Sequence, residues 1–376
     1  MEHKGRLLIL ANAESTVYCF RRELIEKLVK DGYEVFVSFP CEKYAKVIEA
    51  TGCTVIDTKV NKKGRNPFEE LSLIAEYKNI IKTVKPDLVV TYTIKPNIYG
   101  GLAARKLNVK YINTVTGLGV VFMKNSPLNL YVRHLLKKAL KKSSCVFFEN
   151  EYNLKLLTDS GICKAPTVLT SGTGVNLELY KFEDMTDSDK VGFVVVSHLL
   201  KDKGYDEIFE VVKRIKDKYG DKVRFDIVGR MPNNSYKKQI DELVDNGYIV
   251  YHGEIRQEEV RLILKNGQCL IHASHHEGLS NAVMEACATG RPAIVTDIPG
   301  CREVVDDNVN GYLFEKCNAS ELYECVDRFI NLPFDARKKM GIAARRKVER
   351  EFDRNSVIET YESVITQTIK DAECEK

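Results

Sequence analysis

Short apolar runs alternate with longer amphipathic stretches along the chain, and the whole alternation occurs twice. Arg6–Leu10, Glu34–Phe39, Thr54–Asp57, Leu88–Thr91, Lys110–Val115 and Cys145–Glu149 read as strands. Between them, Val17–Lys30, Pro67–Val84, Ile98–Lys106 and Leu128–Lys142 read as helices. Phe20, Leu24, Ile25 and Leu28 give the first of these its helical period, and Asp31-Gly32 ends it. Alternating strands and helices imply a parallel sheet covered on both faces. A polar stretch, Tyr180–Lys190, interrupts the pattern. It resumes with strands at Val191–Ser197, Val223–Val228, Tyr248–Tyr251, Cys269–Ala273 and Ala293–Thr296. Helices are expected at Asp206–Lys218, Tyr236–Asp245, Glu258–Lys265, Asn281–Thr289 and Ser320–Asn331, with closing helices at Arg337–Phe352 and Asn355–Lys370. The expected architecture is α/β, with two doubly wound Rossmann-like domains. One spans 1–180, completed by a C-terminal helix within 355–376, and the other spans 190–354. Such folds bind ligands outside the carboxyl ends of their strands. Two of them facing a central cleft would bring both sets of loops together.

A chain of 376 residues suits two domains. With 44% hydrophobic and 29% charged residues, disorder and coiled coil are excluded as the main architecture. No run approaches the ~20 apolar residues of a spanning helix. The N-terminus lacks a convincing signal segment, so a cytoplasmic protein is expected. Eleven cysteines include no C-x-x-C pair, which favours reduced thiols over disulfides or a zinc ribbon. The net charge of +4 conceals an asymmetry. Residues 1–180 hold 27 basic and 17 acidic side chains, and the remainder 30 and 36. The basic half suits an anionic membrane or a phosphorylated ligand, and the modest total gives nucleic acid little support.

The most informative segment is Glu277-Gly278-Leu279-Ser280-Asn281-Ala282-Val283-Met284-Glu285, directly after an apolar strand. Gly278 permits a tight turn, and Ser280 or Asn281 can cap the helix that follows. A helix N-terminus offers N–H groups and a positive dipole to phosphate. Glu277 and Glu285 flank that position, where carboxylates can grip sugar hydroxyls. A capped helix with solvated glutamates fits the same residues.

The E-x7-E element formed by Glu277 and Glu285 resembles that of the family 4 retaining glycosyltransferases, whose architecture is GT-B. Val196-Ser197-His198-Leu199-Leu200-Lys201-Asp202-Lys203-Gly204, Phe225-Asp226-Ile227-Val228-Gly229, Tyr251-His252-Gly253, Gly290–Asp297 and Gly311–Phe314 resemble further family words in the same order. The resemblance implies that Lys203 binds the donor diphosphate with backbone groups of Ser280, Asn281 and Ala282. Gly278, Leu279 and Gly229 would complete the donor pocket. Glu285 would hold the ribose, Glu277 the transferred sugar near the reacting carbon, and Arg256 would lie near the base. Lys203 and Glu277 are thus the catalytic candidates. His198 stands where the family usually has Arg, with Lys201 as a possible substitute cation. The family's transfer is metal-independent, so no metal or other cofactor is expected. His272, His275 and His276 beside Glu277 are read as lining the donor site rather than as ligands, and Asp187-Ser188-Asp189 as solvated chain.

In the first half, Thr91–Gly100 and Ile112–Gly119 are similar to bacterial surface-polysaccharide transferases acting on undecaprenyl-diphosphate-linked saccharides. Lys95, Thr116, Gly117 and Gly119 become acceptor-side candidates, with Thr116 or Asn113 where many family members place His. Pro127–Lys142 carries Arg133, Lys137, Lys138, Lys141 and Lys142 with no acid, and Leu128, Val132, Leu135, Leu136, Ala139 and Leu140 supply an apolar face. Such a helix can lie on anionic lipid, and Lys59, Lys62, Lys63 and Arg65 could extend the patch. A domain helix with a solvated basic face is the alternative. The expectation is a transferase moving a hexose or N-acetylhexosamine from a UDP-sugar to a polyprenyl-diphosphate-linked saccharide, peripheral on the inner face of the cytoplasmic membrane. The alternatives are a UDP-N-acetylglucosamine 2-epimerase-like isomerase and a non-catalytic nucleotide-sugar-binding subunit.

Overall fold

The computed structural model describes residues 4–59, 67–118, 122 and 126–374. Gly119, Lys62, Lys63 and Arg65 lie outside them. The chain forms two compact units, residues 1–173 with 355–376, and residues 174–354.

The first unit is built on seven strands: β1 (Arg6–Leu10), β2 (Glu34–Phe39), β3 (Thr54–Asp57), β4 (Leu88–Tyr92), β5 (Lys110–Val115), β6 (Cys145–Phe148) and β7 (Thr167–Leu169). They lie in the order β3-β2-β1-β4-β5-β6-β7, all parallel. Leu7 pairs with Val35 on one side and Leu88 on the other, so the order reverses between β1 and β4. One helical layer includes Arg354–Cys374, whose Val357, Tyr361, Ile365 and Ile369 join the buried cluster of Leu7, Ile9, Val35, Val37 and Phe147. Tyr361 stacks on Phe147 at 4.0 Å between ring centroids.

Three features differ from the sequence reading. The helix expected over 17–30 is two helices, Glu14–Phe20 and Arg22–Lys30, separated at Arg21 with φ −128°. The Arg21 side chain is buried and bonds Glu149 at 2.7 Å. The helix expected at Ile98 begins earlier, as a π-helical turn over Pro96–Gly100, and continues as Gly101–Lys106. Asn97 in that turn donates to the Thr114 carbonyl and accepts from Thr91 Oγ1. The short helices Ala45–Glu49 and Glu151–Asp159 and the three-residue β7 were not anticipated, because so few residues show no period.

The second unit holds β8 (Val191–Val196), β9 (Val223–Val228), β10 (Val250–Gly253), β11 (Cys269–His272), β12 (Ala293–Thr296) and β13 (Gly311–Phe314). The order is β10-β9-β8-β11-β12-β13, again parallel, and it reverses between β8 and β11. Phe193, Val195, Phe225, Ile227 and Ile271 pack under one helical layer, and Val194, Leu270, Val283, Ala293 and Val295 under the other. The stretch read as a polar connection packs onto this unit. Tyr180 and Met185 are buried, and the Glu183 carbonyl accepts from Arg291. The chain enters and leaves the unit side by side. Val175 N–H donates to Phe352 O at 2.8 Å, and Arg354 N–H to Val175 O at 3.1 Å. Gly174 has φ +60°, and a Cβ there would stand 2.5 Å from Arg354 Cα, so only glycine fits.

Candidate functional site

Two loops meet where the strand order of the second unit reverses. The first leaves β8 through Ser197 and His198, makes a tight turn over Lys201–Lys203, and enters the helix Tyr205–Tyr219. The second leaves β11 through Ala273–Leu279 and enters the helix Asn281–Ala288. Gly204 lets the first press on the second. It has φ +73°, and a Cβ would lie 2.1 Å from the Ala273 carbonyl oxygen. The His275 N–H donates to Asp202 O at 2.9 Å, fixing the same approach.

These contacts bring Lys203 to Glu277, 74 residues apart in sequence. Lys203 Nζ donates to Glu277 Oε1 at 2.6 Å, and Ser274 Oγ donates to the same oxygen at 2.6 Å. His272 Nε2 lies 2.9 Å from that oxygen and 3.1 Å from Ser280 Oγ. Burial by itself would raise the Glu277 carboxyl. The hydrogen bond from His272 and the charge of Lys203 outweigh it and hold the carboxyl well below the usual range. Lys203 and Glu277 are only partly buried, at 20% and 15% side-chain exposure, so the pair remains within reach of a ligand.

Ser280 occupies the cap position of the following helix, but its hydroxyl turns to His272 and makes no capping bond. Its N–H donates to Gly300 O at 2.8 Å, which seats the turn. Leu279 is buried beneath it, Gly278 and Asn281 are half-buried, and Ala282 is likewise half-buried at the helix start. The Ser280 side chain therefore does not cap this terminus, whose positive dipole end meets the turn that carries Glu277, the partner of Lys203. Glu285, one turn further, is buried. Burial pushes its carboxyl up to about 7, against the pull of Arg354 and the Tyr180 hydroxyl.

The other donor candidates are more dispersed. His198 is exposed immediately after β8. Lys201 is exposed and lies 3.7 Å from Asp206. Gly229 follows β9, and its N–H donates to Gly253 O at 2.8 Å. Arg256 precedes the helix Gln257–Asn266 after the edge strand β10, with its side chain 76% exposed and 3.6 Å from Glu259. Of the histidines, His272 belongs to the Glu277 network, whereas His275 faces Glu207 and His276 faces Asp202. Only proximity along the chain pointed to the His272–Glu277 contact.

In the first unit, Thr116 and Gly117 are half-buried just after β5. Asn113 does not share that position. It is fully buried and donates to Thr91 Oγ1 and the Asn97 carbonyl, because its side chain points into the sheet's own polar network. Lys95 pairs with Glu70 at 2.6 Å.

The family model for group 1 glycosyl transferases matches residues 178–347, and the model for 4-like glycosyl transferases matches residues 6–150. The chain is a glycosyltransferase. Its two matched regions, group 1 and 4-like, each fall within one compact unit. This glycosyltransferase is 24% identical to the N,N′-diacetylbacillosaminyl-diphospho-undecaprenol alpha-1,3-N-acetylgalactosaminyltransferase of Campylobacter jejuni, over 97% of the chain and 99% of that relative. It is 24% identical to the capsular polysaccharide biosynthesis glycosyltransferase CapM of Staphylococcus aureus, over 81% and 84%. Among solved structures it is similar to HepE of Anabaena in complex with UDP and glucose. The TM-score is 0.77 at 17% identity, covering 96% of this chain and all of that one. The glycosyltransferase therefore has the GT-B fold.

Proposed function

We propose that this glycosyltransferase moves a hexose or N-acetylhexosamine from a UDP-sugar to a lipid-diphosphate-linked saccharide, with retention of anomeric configuration, in bacterial surface-glycan assembly. The observation that carries this reading is the Lys203–Glu277 pair on the turn that leads into the helix starting at Asn281. An ammonium and a helix dipole converging on one point form a site for a diphosphate. The second unit takes the donor. Lys203 and the backbone of Ser280, Asn281 and Ala282 hold the two phosphates, with the turn at Gly278 and Leu279 as their floor. Glu285 takes the ribose hydroxyls. Glu277, released from Lys203 by the incoming phosphates, takes the hydroxyls of the sugar. His198, Gly229 and Arg256 complete the pocket.

In the transfer, the acceptor hydroxyl oxygen bonds to the anomeric carbon on the face from which the diphosphate departs. The bond from that carbon to the phosphate oxygen breaks, its electron pair leaves with UDP, and the hydroxyl proton passes to the departing phosphate. Charge accumulates on the diphosphate in the transition state, and Lys203 and the helix start stabilise it most there. The chain itself supplies these groups, and no metal or cofactor enters the step.

The first unit takes the acceptor, with Thr116, Gly117, Gly119 and Lys95 on its side of the reaction. The lipid-linked substrate in the name of the Campylobacter jejuni relative supports that assignment. The helix Pro127–Leu140 corrects the sequence reading in part: Leu136 and Leu140 of its expected lipid face are buried in the unit's own core, with Val132 and Leu135 packed against it, and what it exposes is Leu128, Leu130 and Tyr131 together with Lys137 and Lys138. Among the described residues no helix is long and apolar enough to cross a membrane. In this reading the exposed basic and apolar side chains of Pro127–Leu140 rest on the anionic inner face of the cytoplasmic membrane, and nucleic acid has no role.

A UDP-release assay over UDP- and GDP-sugars, with and without bacterial lipid extract, tests the reading. Lipid-dependent UDP release and a lipid product heavier by one sugar are expected. Conversion of a UDP-sugar to its epimer without lipid, or binding of a UDP-sugar with no release across the panel, would overturn it.

A further inference from the structure

Three segments that flank the candidate donor site carry side chains it does not use. Glu207 lies in the first turn of the helix Tyr205–Tyr219. His275 lies in the loop after β11, and Cys317 in the loop after β13. All three elements belong to the second unit, and their ligand-type atoms lie within 4.8 Å of one another. His275 Nε2 is 3.1 Å from Glu207 Oε1 and 3.5 Å from Cys317 Sγ.

We propose that Glu207, His275 and Cys317 form a binding site for a soft divalent cation of the zinc class. A tetrahedral Zn²⁺ with oxygen and nitrogen at ~2.0–2.1 Å and sulfur at ~2.3 Å holds neighbouring ligand atoms about 3.3–3.6 Å apart. The two measured separations lie within a few tenths of an ångström of that range. The donor set is one thiolate, one imidazole and one carboxylate. That combination favours zinc over magnesium or calcium, which prefer oxygen throughout. Glu207 Oε2 is buried and no nitrogen or oxygen donor among the described residues bonds it, while the Cys317 thiol bonds this carboxylate, so an ion that displaces the thiol proton would find both groups already facing one another. Cys317 has φ +60°, a backbone region that side chains other than Gly and Asn rarely occupy. Asn318 fixes the next position by accepting the Glu321 N–H at 3.1 Å. The exposed side of Cys317 leaves room for water as a fourth ligand.

The ion's role is to brace, not to transfer. It joins the helix that follows Lys203 to the loop that carries Glu277 and to a third segment 42 residues from His275. The site goes beyond the proposed reaction and does not depend on it. The loop positions would be held whatever sugar is bound.

The test uses the purified full chain, stripped with chelator and titrated with Co²⁺ as a spectroscopic probe, then with Zn²⁺. One Co²⁺ per chain is expected, with thiolate-to-metal charge-transfer absorption and the visible bands of tetrahedral coordination. Zn²⁺ should displace it, and excess Mg²⁺ should not. Cys317→Ser and His275→Gln should each weaken binding by about a hundredfold or more, beyond the usual cost of an outer-shell partner. Cys41→Ser, at an exposed cysteine of the other unit, should not. Zn²⁺ should raise the melting temperature of the parent chain and leave that of Cys317→Ser unchanged. Absence of the thiolate band, or Co²⁺ binding that survives both Cys317→Ser and His275→Gln, would overturn the site. UDP release can succeed or fail independently of either result.

Discussion

The two units share a strand order around their reversal points and treat charge there in opposite ways. In the first, Arg21 and Glu149 pair at 2.7 Å with side-chain exposures of 2% and 6%. The guanidinium lies over the rings of Tyr92 and Tyr361, at 4.4 and 5.5 Å. In the second, Lys203 and Glu277 pair at 2.6 Å but stay partly open at the strand ends. A sealed pair can only serve folding, because no ligand reaches it. An open pair can exchange one partner for a substrate anion. The comparison teaches that accessibility, rather than pairing itself, separates a structural ion pair from a functional one on the same scaffold.

The largest effect that could break this comparison falls on the sealed pair. Arg21→Met should destabilise the chain by about 3–5 kcal/mol in a denaturant melt, because Glu149 is left buried without its partner. Adding Glu149→Leu should restore most of that loss. A single variant as stable as the parent would show the pair is not closed. Next comes the open pair. Lys203→Ala should lower kcat by about two to three powers of ten, with melting nearly unchanged. Near-parental turnover would remove Lys203 from the reaction.

A third prediction concerns Glu285, a more deeply buried carboxyl than Glu277 in the same open region. Its folded-state value of about 7 lies above its ordinary 4.5, so the native chain binds the proton more tightly than the unfolded one does. Its contribution is therefore most favourable below pH 4.5, and stability falls as pH rises from there through about 7. Glu285→Gln should remove that slope and raise stability at pH 8 by on the order of 3 kcal/mol in donor-free melts. An unchanged slope between pH 5 and 8 would mean that Glu285 ionises normally. The smallest effect is expected at the surface. Each reversal among Lys137 and Lys138 should weaken sedimentation with anionic vesicles by about 1 kcal/mol or slightly more, and leave neutral vesicles unaffected.

Much of the fold was legible because parallel strands buried on both faces read as unbroken apolar words. Val191–Val196 and Val223–Val228 coincide with their sequence reading almost to the residue. The GT-B fold and the glycosyltransferase assignment followed from ordered words such as Lys203-Gly204 and Glu277–Glu285. Polar residues inside the core were illegible. The Arg21 break depends on Glu149, 128 positions away, and Asn113 is held inward by Thr91 and Asn97. The hydroxyl of Ser280 matched a cap in sequence, yet His272 competes for it in space. Local propensity cannot anticipate a partner that only the folded sheet delivers.

The helix Arg354–Cys374 has a consequence for the order of events on the ribosome. Tyr361, Ile365 and Ile369 close the interior of a unit whose other residues have all been synthesised by position 173. Until residues 355–374 leave the exit tunnel, the nascent first unit must wait with Phe147 and its neighbours uncovered. Meanwhile the second unit, complete at residue 354, can fold ahead of the unit that was started before it.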